Sequence, residues 1–479
     1  MLWQRDWGRG LSSESKVFLD GVKEGDFLKV AFVLQLVISL FLFSSESFAS
    51  IEAYFHPYDS TFEKIAAQID QVQSTMDIAM YNMDHKESNP IIAKLASPSI
   101  QKKIKSGQLK VRIVFNGKPN RVGYKLEKFE ELGIDARYIG LGKKIHHKFA
   151  VMDSRENTPR LITGSANWSQ LSREHYSENI MFFVGESEVA VNFQKEFDLL
   201  WSLANEYGRE EVGSTTNDFL AAKDRNPSIQ SFFNTENFKV RDGRLVDDDS
   251  KEGFELTREV VREIDGARKS LEIASTRLKL RPVFDALLRA ASRGVKIDFV
   301  VTMAEYQTLS YRKDKEVPPC KEEYSQECSE SHNYTVFLAR HDYPGSENVH
   351  VRVKYFDFNP KGHLAKQMHS KYMIVDAKKV CSGSFNWSYS AEYSHIENLV
   401  CFDGRKYKSA LKSFEADFDY TFNLRRQDFE KLKKEFSDRL NLHQYGKCSF
   451  APISLEFEQL DEMFELEKKY QIRFMDICS

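Results

Sequence analysis

The sequence predicts an α/β protein built from two tandem halves, each a mixed sheet flanked by helices. Three observations carry this: a soluble globular composition, helix-then-strand patterns that recur in both halves, and a polar segment that occurs twice. With 479 residues, 41% hydrophobic and 29% charged, the chain is long enough for two or three domains and too apolar to be disordered.

The repeat is legible at four places. Ile69-Asp70 stand seven residues before Met76-Asp77-Ile78-Ala79, and Ile264-Asp265 stand seven before Leu271-Glu272-Ile273-Ala274. Both read as an amphipathic helix, a turn and a buried strand. A further strand, Val111 to Phe115 after Lys-Ser-Gly, is matched by Val295 to Val301 after Ser292-Arg293-Gly294. Strands alternating with helices imply a parallel or mixed sheet with helices on its faces. The polar segments, His146 to Asn179 and His369 to Asn398, form the third match. The fourth is a closing helix with Phe193, Phe197 and Trp201 in one half and Phe414, Phe418 and Phe422 in the other. Their four-residue spacing puts each trio on one face, as core packing requires.

These matches divide the chain into an N-terminal extension (1–49), a first half (50–205), a linker (206–230), a second half (231–424) and a helical cap (425–479). The linker is rich in Asn, Asp, Ser and Thr, and the cap holds two charged amphipathic helices near 426–440 and 454–472. The second half carries an insertion from Met303 to about Val336, which reads equally as a lid or as a surface elaboration.

In the extension, Lys29 precedes an apolar run from Val30 to Phe43, then Ser47-Phe48-Ala49 with small residues at the −3 and −1 positions of a cleavage site. This reads as a secretory signal peptide, because a membrane-spanning helix needs ~20 apolar residues. The long polar stretch before it leads us to expect initiation at Leu28, which native N-terminal peptides from upstream would contradict. The expected mature chain starts near Ser50 and is secreted or periplasmic, with no stable transmembrane helix.

The net charge of −3 gives no global field toward nucleic acid or anionic membranes. One local excess stands out: Gln101 to Lys148 holds 13 Lys or Arg against four acidic residues. It reads as a polyanion-holding segment or as a solvated Lys-rich surface. All six cysteines follow residue 319, and their spacing is not that of zinc ligands. Cys320 with Cys328, and Cys448 with Cys478, are the disulfide candidates. Cys381 and Cys401 align with Ile162 and Phe182 of the first half and are expected as buried core thiols.

The chemistry lies in the duplicated segment. The first copy reads His146-His147-Lys148, four residues, Asp153, then Gly164-Ser165-Ala166-Asn167-Trp168-Ser169 and Glu178-Asn179. The second reads His369-Ser370-Lys371, four residues, Asp376, then Gly383-Ser384-Phe385-Asn386-Trp387-Ser388 and Glu397-Asn398. In an extended stretch, alternate residues share a face, so His146 and Lys148, and likewise His369 and Lys371, point into one cleft. Ser-x-Asn repeats that geometry on a neighbouring strand. The set supplies an attacking group, a proton donor and fixed positive charge, as phosphodiester cleavage requires, and its lysines and amides can do so without a metal. Glu178 or Glu397 can hold the far nitrogen of a histidine and fix its tautomer. Asp153 and Asp376 belong to the motif, but their strand parity differs and predicts that they hold backbone or neighbouring side chains. His147, His175, His363 and His395 lack matched copies and read as surface or packing residues. Trp168 and Trp387 read as structural wedges.

These residues resemble the phospholipase D superfamily, whose signature is a duplicated His-x-Lys-x4-Asp followed by Gly-Ser-x-Asn. The likeness covers residues 52–424 in organisation and is specific over the two motif segments. It implies two α/β sandwich halves related by a pseudo-twofold axis. It also implies one active site at which one histidine forms a phosphohistidine while the other protonates the leaving oxygen and then activates water. Family precedent slightly favours His146 as the nucleophile, while the two copies of the motif are symmetric on this point. Lys148, Lys371, Asn167 and Asn386, with Ser165 and Ser384, would hold phosphate oxygens, and no cofactor or metal is expected. The substrate is a phospholipid or a nucleic acid, the lipid reading being slightly favoured. The expected protein is a monomer that touches membrane surfaces transiently. The remaining alternative is an inactive phosphate-binding module.

Overall fold

Strand Lys148–Met152 shows how the sequence builds this molecule. Phe149 and Val151 enter a core shared by both halves, while Ala150 and Met152 enter a core belonging to the first half alone. A strand apolar on both sides must be sandwiched. The counterpart Lys371–Val375 behaves alike, with Tyr372 and Ile374 turned to the shared core and Met373 and Val375 to the core of the second half. The computed structural model describes residues 49–140, 142–206, 225–303, 334–357, 366–441 and 451–471.

Two eight-stranded sheets result. The first runs in the order Ser50–His56, Glu178–Val184, Arg160–Gly164, Lys148–Met152, Thr75–Met80, Lys110–Asn116, Asp135–Ile139, Asn205–Glu206. The second repeats it with Ile229–Phe233, Asn398–Asp403, Lys379–Gly383, Lys371–Val375, Ser270–Ser275, Lys296–Thr302, Val349–Tyr355, Ile453–Leu455. In each, three strands are parallel, Thr75–Met80, Lys110–Asn116 and Asp135–Ile139 in one and their counterparts in the other, and the remaining pairings are antiparallel. Parallel neighbours need a crossover. Helices such as Pro119–Glu131 and Arg281–Ser292 supply it, packing Leu126 and Phe129, or Phe284 and Leu287, on the outer faces. The closing helices Ser187–Leu203 and Lys408–Phe422 put Phe193, Phe197, Trp201, Phe414, Phe418 and Phe422 into the shared core, as their spacing predicts. The expected fold class, two tandem mixed-sheet halves with a helical C-terminal region, is what the chain adopts.

Three details differ from expectation. The cap contains helices Phe429–Asn441 and Phe457–Lys469, but Ile453–Leu455 between them is the edge strand of the second sheet, paired with Val353 to Tyr355. Ser-x-Asn does not lie on a strand. It follows strands that end at Gly164 and Gly383, where a Cβ would run into the carbonyls of Asn179 and Asn398. Cys381 and Cys401 are not thiols but a disulfide. They face each other directly across antiparallel strands, with Cα atoms 4.0 Å apart. A buried disulfide is as apolar as the Ile162 and Phe182 of the other copy, so the alignment could not tell thiol from cystine.

The N-terminal extension with its apolar run, most of the linker and insertion, His363, and Cys320, Cys328, Cys448 and Cys478 lie outside the described residues. Among the described residues, no helix is long and apolar enough to cross a membrane.

Candidate active site

The two motif segments meet where the halves exchange short strands. Lys144 and Ile145 pair in parallel with His395 and Ile396, and the N–H of His146 donates to the Ile396 carbonyl at 3.0 Å. Ser177 bridges Met368, and the N–H of His369 donates to the Ser177 carbonyl at 2.8 Å. These reciprocal contacts are the mark of a twofold relation. They seat each motif histidine beside the residue that precedes the other half's glutamate.

The glutamates are consequently crossed. His369 Nδ1 donates to Glu178 of the opposite half, 2.8 Å from each carboxylate oxygen, and Ser172 adds a hydroxyl at 2.8 Å. His146 Nδ1 lies 2.7 Å from Glu397 Oε1, also of the opposite half, but off the line of a hydrogen bond. Both glutamates are fully buried. Burial alone would raise them, yet the neighbouring histidines and lysines hold both carboxyls below the usual range, ionised.

Lys148 and Lys371 open the strands that follow, and each ammonium donates to the carbonyl of its own motif histidine, His146 and His369. Burial pushes Lys148 down to about 8 and Lys371 down to about 7, against the pull of Glu178 and Glu397. Lys148 also repels a proton on Lys371 and on His369, so the field of one half reaches the other. Burial likewise depresses both imidazoles, His146 the more strongly, toward the neutral form that a nucleophile needs.

The other predicted residues fall into two groups. Asn167 and Asn386 are half-buried just beyond their strands, and Asn167 Oδ1 is buried with no hydrogen-bond partner. Ser165 and Ser384 use their hydroxyls to accept the backbone N–H of Asn179 and Asn398, at 2.9 and 3.0 Å. Asp153 accepts the backbone N–H groups of Gln73, Ser74 and Thr75, and Asp376 those of Arg268, Lys269 and Ser270. Both carboxylates thus clamp the turn leading into the adjacent strand, the backbone-holding job that their parity predicts.

Three residues near the site escaped the sequence reading, and a fourth, His395, was expected only as a surface or packing residue. His395 is packed 5.2 Å from the His146 ring, centroid to centroid, with its Nδ1 3.6 Å from Glu397 Oε1. Tyr176 takes the same place beside His369, with centroids 5.9 Å apart. Both stand two positions before the Glu of Glu-Asn, so aligning on that Glu would have paired them. Tyr81 lies against His146 and beneath Lys144 and Lys148. Lys354, buried, donates to Ser177 Oγ at 2.6 Å and so braces the residue before Glu178. His147 is a packing residue, as expected, held between Glu196 and Asn398. Three of the 13 basic residues of the stretch are held in these ion pairs: Arg112 with Asp77, Arg137 with Glu206 and, at the surface, Lys128 with Glu131.

Two buried histidines, each beside a carboxylate from the opposite half, and two buried lysines thus meet at one seam. The family model for the phospholipase D-like domain of cardiolipin synthase matches residues 65–201 and 260–421. This chain belongs to that phospholipase D-like family, whose superfamily acts on phosphodiesters. The mitochondrial cardiolipin hydrolase of Chlamydomonas reinhardtii is 26% identical over 129 residues, 27% of this chain and 52% of that protein. The human protein of the same name is 31% identical over 83 residues, 17% of this chain and 31% of its own. The chain therefore spans only about half, or less, of these two relatives. The phosphatidylserine synthase of Haemophilus influenzae Rd KW20 superposes with a TM-score of 0.50 at 13% identity, covering 81% of this chain and 93% of that one, a likeness of fold.

Proposed function

We propose that the chain cleaves or transfers a phosphodiester through a phosphohistidine, with a phospholipid as substrate. The crossed pairs carry this reading, because they bring both histidines and both lysines to one seam. His146, the more depressed imidazole, attacks phosphorus with its outer ring nitrogen as the ester P–O bond breaks. His369 gives its proton to the leaving oxygen, its cation stabilised by the doubly placed Glu178. His369 then takes a proton from water or an alcohol, which displaces phosphorus from His146. Lys148, Lys371, Asn167 and Asn386 hold the non-bridging oxygens.

The lipid preference is supported by the names of the curated relatives and by the pairing of Arg112, Arg137 and Lys128, which leaves less of the basic stretch for nucleic acid. Export is part of the proposal and is supported by the buried disulfide, since such bonds persist in oxidising compartments. We propose also a monomer that contacts membrane surfaces only transiently. The test is a parallel assay of the chain on phosphatidylcholine, phosphatidylglycerol and cardiolipin vesicles and on plasmid and single-stranded DNA, with EDTA present. Lipid turnover is expected; cleavage of DNA alone would make the chain a nuclease, and no turnover at all would make it a binding module.

A further inference from the structure

The two crossed pairs are not equal. Around Glu178 the polar groups are satisfied: both oxygens take His369 Nδ1, and Ser172 completes the shell. Around Glu397 they are not. Both of its oxygens, the Nδ1 of His146 and the Nδ1 of His395 are buried and without a hydrogen bond. His146 Nδ1 and His395 Nδ1 stand 2.7 and 3.6 Å from the same Glu397 oxygen, yet none of these four buried polar atoms completes a hydrogen bond, which is costly and calls for an explanation. The difference traces to two positions: the second half has His395 where the first has Tyr176, and Ala391, with no hydroxyl, where the first has Ser172.

One ring nitrogen of His146, one of His395 and one oxygen of Glu397 all lie within 4.8 Å of one another. Two imidazoles and a carboxylate are the ligand set that zinc and neighbouring transition metals prefer, whereas magnesium and calcium prefer oxygen alone. Zinc bonds of about 2.1 Å in a tetrahedron set neighbouring donors roughly 3.4 Å apart. The separations of 2.7 Å from His146 to Glu397 and 3.6 Å from His395 to Glu397 bracket that spacing.

We propose that His146, His395 and Glu397 form a binding site for a divalent ion of the zinc class, and that filling it stops phosphodiester turnover. The inhibitory half of the proposal rests on the functional reading above. A metal on this nitrogen of His146 separates it from its carboxylate and withdraws electron density from the ring nitrogen that attacks phosphorus. The third ligand, His395, takes no part in the proposed chemistry.

The test uses the full, oxidised chain stripped with EDTA, together with the variants His395→Tyr, which copies Tyr176, and His395→Gln. Zinc chloride is titrated by calorimetry, and cobalt(II) is followed by its visible absorption. In parallel, turnover of the soluble diester bis(p-nitrophenyl) phosphate is measured against zinc, with magnesium and calcium as controls. The wild type is expected to bind one zinc more than either folded variant. Zinc alone should inhibit it, and the inhibitory concentration should rise at least tenfold in both variants while zinc-free turnover stays within about twofold. Equal zinc binding by wild type and both variants, or no binding at all, would overturn the proposal. So would site-dependent binding that leaves turnover untouched. One ion bound by the wild type and lost in the variants, in a chain that hydrolyses no diester, would uphold the site and sink the hydrolase reading instead.

Discussion

Replacing Glu178 with Gln keeps the shape of the side chain and removes its charge and one of its two acceptor oxygens, so the consequences can be worked from the site. The carboxylate accepts His369 Nδ1 at 2.8 Å on both oxygens in a fully buried position. A hydrogen bond to a charged group is worth about 1.5–3 kcal/mol, and it strengthens in the second step, when His369 becomes a cation by taking the proton of water or an alcohol. If that whole amount is lost from the barrier, kcat falls between about tenfold and about 150-fold. The same change acts on Lys371. Burial lowers it to about 7, and Glu178 is the largest charge opposing that fall. Lysine holds phosphate in its protonated form, which prevails below its pKa. In the wild type, kcat/KM should therefore decline as pH rises through about 7. In Glu178→Gln, with the opposing charge gone, the decline should begin at lower pH. The assay is a pH series of kcat/KM and kcat on bis(p-nitrophenyl) phosphate, a monoanion throughout, with circular dichroism to establish folding. Glu397→Gln should lose less, because its contact with His146 is off the hydrogen-bond line. A folded Glu178→Gln enzyme with unaltered kcat and an unmoved alkaline limb would refute the reasoning.

Three further outcomes follow from the same geometry. His146→Ala and His369→Ala should each lower turnover by ~10³ or more, and the double variant should be hardly worse, since both act on one covalent path; multiplying losses would speak for separate sites. Asp153→Ala strands three backbone N–H groups and should destabilise the fold by ~3 kcal/mol or more, while turnover per folded molecule holds. A turnover loss at unchanged stability would return Asp153 to the chemistry. Removing the Cys381–Cys401 bond by double substitution with Ala should cost ~3 kcal/mol in urea unfolding, as expected for closing a loop of this size. An unchanged midpoint would mean that the bond does not constrain the chain.

Some elements were readable and others were not, for identifiable reasons. The closing helices with Phe193, Phe197 and Trp201, and with Phe414, Phe418 and Phe422, were readable because a helix face is a local periodicity. The backbone-clamping aspartates were readable from strand parity. The edge strand Ile453–Leu455 was absorbed into a predicted helix, since three residues are too few for any periodicity. Cys381 and Cys401 were misread because strand register, not composition, decides whether two buried thiols face each other. His395 reads in sequence as a packing residue because its counterpart in the first half, Tyr176, is not a histidine.

The sequence by itself determined the duplication, the helix-and-strand alternation and the kinds of side chain at the two half-sites, because each of these is written in spacings over a few residues. Only the tertiary structure decided that Glu178 serves His369 across 191 positions, that Glu397 serves His146, and that a second imidazole shares Glu397. Those partnerships come from two sheets packing face to face and exchanging short strands at Ile145 and Ile396 and at Ser177 and Met368. No local pattern encodes such contacts, since their energy resides in a shared core drawn from both halves at once.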